Sequence, residues 1–325
     1  MLQRRTLVAG LGMALLPWAS ARAAWPDRPV RLVMPFAAGG NGDLTVRLAV
    51  PVMANRLGQS VVVDNKGGAG GAIGTAEVAR ARPDGYTLLG ATAGPLVTAP
   101  LVQANVGYDP MRDFAHVALI SRVPMVIIVA NSVPARTLPE LIALSKAEPG
   151  RIGIGTSGVG GANHLPLELL NAATQAQLLH VPYRGGGAVL PDLIAGNVAG
   201  ALTELSSCLD LHRTGRARII AVASRNRSTQ LPDVPTVIEA GIADFTAEAF
   251  VGVSAPAGTP AEVLASLQQA VAAADANADV RARLEALGAE MATPEQQTPA
   301  GFKAYLEAEI AKARRAVALA GLKPE

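Results

Sequence analysis

The chain has 325 residues, with 33 glycines, 23 prolines and 50% hydrophobic residues, which fits a globular protein of about two domains at ~150 residues each. Charged residues make up 17% and aromatics 3%, a balance too apolar for a disordered chain and too poor in aromatics for a platform that stacks single-stranded nucleic acid. The formal charge of +2 includes Arg4, Arg5 and Arg22 of an acid-free leader; beyond residue 23, 25 basic residues face 26 acidic ones, leaving no electrostatic footprint for nucleic acid or anionic lipid.

Residues 1–23 read as a signal peptide. Arg4 and Arg5 precede an uncharged stretch from Thr6 to Ala21, and Ala21-Arg22-Ala23-Ala24 offers small residues for cleavage after Ala23. The apolar run is shorter than the roughly 18 to 20 residues that span a bilayer. Export to the periplasm by the Sec route is expected, and the adjacent arginines also permit the twin-arginine route.

Short apolar runs then alternate with segments of helical period, the pattern of an α/β protein with parallel sheets. Strands are expected at Val30 to Pro35, Val61 to Asp64 and Thr87 to Ala91, with helices from Leu44 to Leu57 and Ile73 to Arg80. Asp43 is read as the N-cap of the first helix, with Arg47 one turn on to pair with it. Val117 to Val129 is a nearly continuous apolar stretch, long enough to leave one domain and enter another. Thr137-Leu138-Pro139-Glu140 is a capping box that opens a helix. Strands at Ile152 to Gly155 and Leu178 to Val181 alternate with helices at Leu165 to Ala173 and Ala188 to Ala195. Ile219 to Ala223 is a late strand, and Phe250 to Ala255 a second crossing. Two crossings make one domain discontinuous: 24–123 plus 250–325, around 124–249. Thr259-Pro260-Ala261-Glu262 is a second capping box with proline at the first helical position, and Gly288 ends the helical segment that this box opens. Phe302, Tyr305, Leu306 and Ile310 mark a last amphipathic helix that should pack on the first domain.

Four glycine clusters come after strands: Ala37 to Gly42, Gly67 to Gly74, Gly153 to Gly161 and Gly185 to Gly187. A glycine turn that opens a helix points free amides at a ligand, and the helix dipole there favours a carboxylate or phosphate. Four such loops over two domains suggest a cleft that grips a small anion. Gly153 to Gly158 matches Gly-x-Gly-x-x-Gly, but the residues about 20 positions on, Leu178 to His180, include no acid for a ribose. Ser157 lacks the glycine of a nucleophile elbow at position 159 and reads as a hydroxyl donor to an anion; an exported α/β hydrolase using Ser157 and His164 is the alternative. Cys208, the only cysteine, reads as a buried thiol, with His212 at i+4. The four histidines form no metal-binding pair in sequence, so neither metal nor cofactor is expected. Glu204, in the apolar run Val198 to Leu205, either meets a ligand amine or faces solvent at a strand end.

A family resemblance rests on Pro35-Phe36-Ala37-Ala38-Gly39-Gly40 with Asp43 and Arg47, Val63-Asp64-Asn65, Pro83-Asp84-Gly85-Tyr86, His180-Val181-Pro182-Tyr183-Arg184-Gly185-Gly186, Leu231-Pro232-Asp233-Val234-Pro235-Thr236 and Ala255-Pro256-Ala257-Gly258-Thr259-Pro260. In this order, from Trp25 to Val317, they resemble the Bug proteins, the TctC-family solute-binding receptors of tripartite tricarboxylate transport systems. The resemblance implies a two-domain periplasmic-binding-protein fold of type II-like form, closing on a carboxylated solute without catalysis. The solute would be a di- or tricarboxylate, an acidic amino acid or an aromatic acid. Partners would be membrane permease subunits or a sensor kinase, and the chain a monomer. Carried over by position, ligand contacts fall on Phe36, Ala37, Gly39, Gly40, Asp43, Asn65, Thr92 and Ala93, then on Thr156, Ser157, Gly158, His164, Tyr183, Arg184 and Gly185. Departures are Asn41-Gly42 in place of bulkier residues, Phe250 where tryptophan is common, and Ala199 to Ala201 near an aspartate position, with Glu204 the nearest acid.

Overall fold

The computed structural model describes residues 25–321; the leader expected at 1–23 lies outside them. Ten strands form one curled sheet with the order β2-β1-β3-β9-β4-β7-β5-β6, and β10 and β8 also pair with β4. In chain order the strands are β1 (Val30–Met34), β2 (Val61–Asn65), β3 (Thr87–Thr92), β4 (Phe114–Ala130), β5 (Gly153–Thr156), β6 (Leu179–Pro182), β7 (Gly200–Glu204), β8 (Ala217–Val222), β9 (Glu248–Pro256) and β10 (Glu290–Met291). The helices are α1 (Asn41–Leu57), α2 (Ala72–Ala79), α3 (Ala99–Val102), α4 (Leu138–Ala147), α5 (His164–Thr174), α6 (Gly186–Ala195), α7 (Leu205–Arg213), α8 (Ala261–Ala276), α9 (Ala278–Ala286) and α10 (Pro299–Ala320).

The expected parallel sheets exist only at the two ends. β1 pairs in parallel with β2 and β3, and β5 with β6 and β7. The centre is antiparallel, because β4 runs through both halves. Its residues Phe114 to Pro124 pair with β9, and Met125 to Val129 pair with β7. β4 is buried along almost its whole length, which is why it reads in sequence as a continuous apolar run rather than an alternating one. The return connection meets it at Met125: Ala223 N–H donates to Met125 O at 2.8 Å, Met125 N–H to Ala247 O at 2.9 Å, and Ala247 N–H to Ala223 O at 2.9 Å. Three chain segments are thus stitched together where one α/β lobe gives way to the other.

Two local expectations are corrected. Gly40, not Asp43, is the N-cap of α1; Asp43 lies in the first turn and accepts from Gly39 N–H at 3.0 Å. Thr259 does not cap α8, since its hydroxyl donates to Pro256 O at 2.8 Å and Pro260 becomes the cap residue. The first capping box does form, with Thr137 accepting from Glu140 N–H at 3.3 Å. α10 packs on β4 and α3 as expected and also reaches α5 on the other lobe.

Candidate functional site

Where the two lobes face each other, Phe36, Ala37, Gly40, Asn41, Gly42, Asp43, Thr92, Ala93, Ser157, Ala162, Gly186, Glu204, Ala249 and Phe250 enclose a cavity of about 30 Å³. This is room for one or two waters, well below the size of a site that encloses an organic ligand. An organic ligand would fit here only with the lobes further apart. A wider groove of about 800 Å³ between the Leu96 to Asp113 segment and α10 lies outside this cleft.

The first wall is the loop from β1 to α1. The first helical bond of α1 is Leu44 N–H to Gly40 O at 3.0 Å, so the amides of Asn41, Gly42 and Asp43 precede it and have no acceptor within the helix. Asp43 braces the loop from below. Burial opposes its charge, but hydrogen bonds from Arg47, Gly39 N–H and Asn65 prevail and hold its carboxyl below the usual value. Asn65 Nδ2 donates both to Asp43 Oδ1 and to Phe36 O at 3.0 Å. Asn65 thus acts on the wall rather than lining the cavity.

The second wall comes from β5, α6 and the β7–α7 junction. Ser157 comes directly after β5, and its amide and hydroxyl both donate to Asn163 Oδ1, at 2.9 and 2.7 Å. Asn163 Nδ2 in turn donates to Leu202 O of β7 at 2.7 Å. Asn163 is fully buried and went unnoticed in the sequence, where only its place at the end of a glycine cluster marked it. The Ser157 hydroxyl proton is thereby committed, and the oxygen is left to accept. Glu204 ends β7 and starts α7; it is 8% exposed and accepts from Thr203 Oγ1 at 3.1 Å. Burial raises its carboxyl, against its own backbone amide and Thr203. A Cβ on Gly186 would lie 2.9 Å from Glu204 Oε2, so glycine at the start of α6 makes room for that carboxylate.

Of the ligand contacts expected from sequence, Phe36, Ala37, Gly40, Asp43, Thr92, Ala93, Ser157 and Glu204 line the cavity. Gly39, Asn65, Thr156, Gly158, His164, Tyr183, Arg184 and Gly185 lie behind or beside it. Tyr183 turns its hydroxyl to Asp192 Oδ2 at 2.7 Å. The Arg184 side chain is exposed, and its carbonyl accepts from Ala37 N–H across the cleft at 3.1 Å. Gly185 serves lobe contact, since a Cβ there would meet Ala37 N at 3.2 Å; a Cβ on Gly158 would meet Tyr183 O of its own lobe at 2.8 Å and Gly70 N of the other at 3.5 Å. Two further bonds cross the cleft, Ser206 Oγ to Asn41 Oδ1 at 2.8 Å and Gln103 Nε2 to Val159 O at 2.8 Å.

His164, Glu168 and His180 bring potential metal-ligand atoms within 4.8 Å of one another. The imidazoles, however, stack face to face, 4.4 Å between centroids at 21°. In-plane lone pairs of stacked rings run side by side instead of converging on one ion. One nitrogen of each ring binds the loop instead: His180 Nε2 lies 2.6 Å from Thr156 Oγ1, and His164 Nδ1 accepts from Gly160 N–H at 3.3 Å. Burial, with His164 beside it, pushes His180 down to about 4, so its ring is neutral at pH 7. The hydrolase alternative fails on the same geometry, since the Ser157 hydroxyl goes to Asn163 and the His164 ring to Gly160. Cys208 is buried, with its thiol raised by burial, and donates to Glu204 O at 3.6 Å. His212 accepts from Ile219 N–H at 3.1 Å and forms no thiol pair.

Comparison with known proteins places this architecture. The model of the tripartite tricarboxylate transporter family receptor, TctC, matches residues 45–321. A UPF0065 protein of the TAR-I ttuE-ttuC' intergenic region of Agrobacterium vitis is 35% identical over 98% of this chain and 92% of its own length. Protein BugT of Bordetella pertussis is 34% identical over 88% and 87%. Among solved structures, the periplasmic binding protein BugD superposes with a TM-score of 0.89 at 36% identity, covering 93% of this chain and all of BugD. MatC from Rhodopseudomonas palustris with bound malate gives 0.87 at 33%, covering 90% and 100%, and an R. palustris protein with adipate gives 0.88 at 35%, covering 93% and 100%. The relatives are binding proteins rather than enzymes, and the two-lobed α/β fold is theirs.

Proposed function

The chain belongs to the TctC family of tripartite tricarboxylate transporter receptors, and from that premise we propose that it is a periplasmic receptor that captures a small carboxylated solute between its lobes. It then hands the solute to membrane permease subunits, or reports it to a sensor. The observation that carries the reading is the enclosed cavity at the open amides of α1, facing Ser157 and Gly186 across a cleft that two chain connections span. Open amides bind a carboxylate by charge-assisted hydrogen bonds. The malate of MatC and the adipate of the R. palustris protein support a solute of this class.

Export through the leader at 1–23 fits a receptor that works outside the cytoplasm, and among the described residues no helix is long and apolar enough to cross a membrane. Pairing supports a domain division close to 124 and 250, displaced by one or two residues: Pro124 and Glu248, assigned above to the second domain, still pair in the first half of the sheet, whereas Met125 pairs with Glu204 in the second. The receptor acts as a monomer in this reading, since one chain supplies both walls.

A thermal-shift screen with dicarboxylates, tricarboxylates, acidic amino acids and aromatic acids tests the proposal. A ligand at 100 times its Kd adds roughly 2.7 kcal/mol, which raises Tm by a few degrees in a protein of this size. A shift confined to carboxylates is expected. If the protein, unfolded and refolded to strip any carried-over solute, melts unchanged with the whole panel, the proposal is lost.

A further inference from the structure

The charge inventory of the cavity is one-sided. Two carboxylates line it, Asp43 and Glu204, and they are treated differently. Asp43 is compensated by Arg47, whose Nε lies 2.9 Å from Oδ1. Glu204 appears in none of the ion pairs among the described residues, although it is 8% exposed. Among the described residues no lysine or arginine side chain lines the cavity. A buried carboxylate without a cation is costly, and in an unliganded protein it falls to a proton or to water. A ligand that brings only carboxylates worsens this cost by like-charge repulsion.

The two walls also differ in sign. On the first, the unbonded amides of Asn41, Gly42 and Asp43 offer donors at the positive end of a 17-residue helix. On the second, the Glu204 carboxylate is an acceptor. It is held in place by Thr203 Oγ1 and fitted against the bare Cα of Gly186. A guest spanning the cleft meets donors at one end and an anion at the other.

Resting on the receptor reading above, we propose that Glu204 is the specificity-determining residue of the site and that the solute is an amino acid or other ammonium-bearing carboxylate. The carboxylate sits at the α1 amides and the ammonium pairs with Glu204. The ligand's own cation then completes the compensation that the protein leaves open, so binding and neutralisation are one event. The acceptor oxygen of Ser157, whose hydroxyl proton goes to Asn163, suits a donor group in the same way.

The test uses matched pairs that differ by the ammonium alone: L-aspartate and succinate, L-glutamate and glutarate, 4-aminobutyrate and butyrate. Each is titrated calorimetrically into the refolded chain. In whichever pair binds, the ammonium member is expected to bind at least about tenfold tighter, a difference on the scale of one charge-assisted hydrogen bond. Glu204→Gln keeps the shape, removes the charge, and should bring the two members to within about threefold. The wild-type ratio stands alone if that variant folds poorly. Equal or tighter binding of the plain acid overturns the role of Glu204 while leaving the receptor reading intact. Failure of every member of every pair overturns the ammonium class, and only silence of the wider carboxylate panel as well overturns the receptor.

Discussion

Asp275 carries the clearest residue-scale cost in the fold. It is 1% exposed near the end of α8, and among the described residues neither of its carboxylate oxygens has a hydrogen-bond partner. Burial raises it from 3.8 to about 8, with Arg281 pulling weakly the other way. The folded state therefore holds this proton where the unfolded chain gives it up. Below pH 3.8 the group costs nothing; as pH rises toward 8 the cost grows by on the order of 1.4 kcal/mol per unit and then levels off. Asp275→Asn should match the parent at pH 4 and exceed it at pH 8 in urea unfolding. A gap that stays constant between those pH values would show that the titration is elsewhere. Such a position is illegible in sequence, where Ala-Asp-Ala in a helix looks like a solvated acid. Ser157 and Tyr183 teach the same lesson at the site. Ser157 reads in sequence as a hydroxyl for an anion, and the resemblance carries a ligand contact over to Tyr183, but Asn163 and Asp192 are nearer partners, and only packing reveals who arrives first.

At the level of elements, the glycine clusters were the most legible feature, and their use is double. Some open helices toward the cavity; others let the lobes touch backbone to backbone. Gly187 lies within α6, and a Cβ there would come within 2.8 Å of Gly39 C and Gly40 N and 3.0 Å of Ala38 O, all main-chain atoms of the other lobe. These atoms cannot swing aside as a side chain would. Gly187→Ala is therefore expected to weaken ligand binding about tenfold or more by holding the cleft ajar. Alanine also favours the helix over glycine by up to about 1 kcal/mol, so the ligand-free Tm should hold or rise. A fall in both affinity and ligand-free Tm would mean that α6 itself had been damaged. The elements that escaped the sequence reading have a common cause. β7 passes into α7 with no turn residue between Glu204 and Leu205, so the strand, the helix and the site acid merge into one apolar run. α8 and α9 are separated only by Asn277, which caps the second through Val280 N–H at 3.1 Å.

The whole molecule is organised around a strand that belongs to both lobes, and this decides how it should unfold. The lobes are separate in outline, but β4 supplies Val117, Ala118 and Ile120 to one side and Met125 to Ala130 to the other within a single contiguous apolar cluster. Opening either half of the sheet strips partners from the same strand, and the Met125, Ala223 and Ala247 bonds at the junction go with it. A rotation of the lobes as units about that junction would leave these pairings in place, whereas unfolding one lobe costs core from both. The chain provides a reporter for each side. In the form that starts at Ala24, Trp25 is the single tryptophan, packed 6.1 Å from Tyr86 beside β3. Cys208, the single cysteine, is buried in α7 of the other lobe. Tryptophan fluorescence and pulsed thiol labelling across a urea series should therefore give one shared midpoint, as two-state unfolding requires. A saturating ligand that bridges the walls should move both midpoints together. Midpoints that separate, with the Cys208 thiol labelled while Trp25 remains native, would show two independent lobes and remove β4 from its place as the common core.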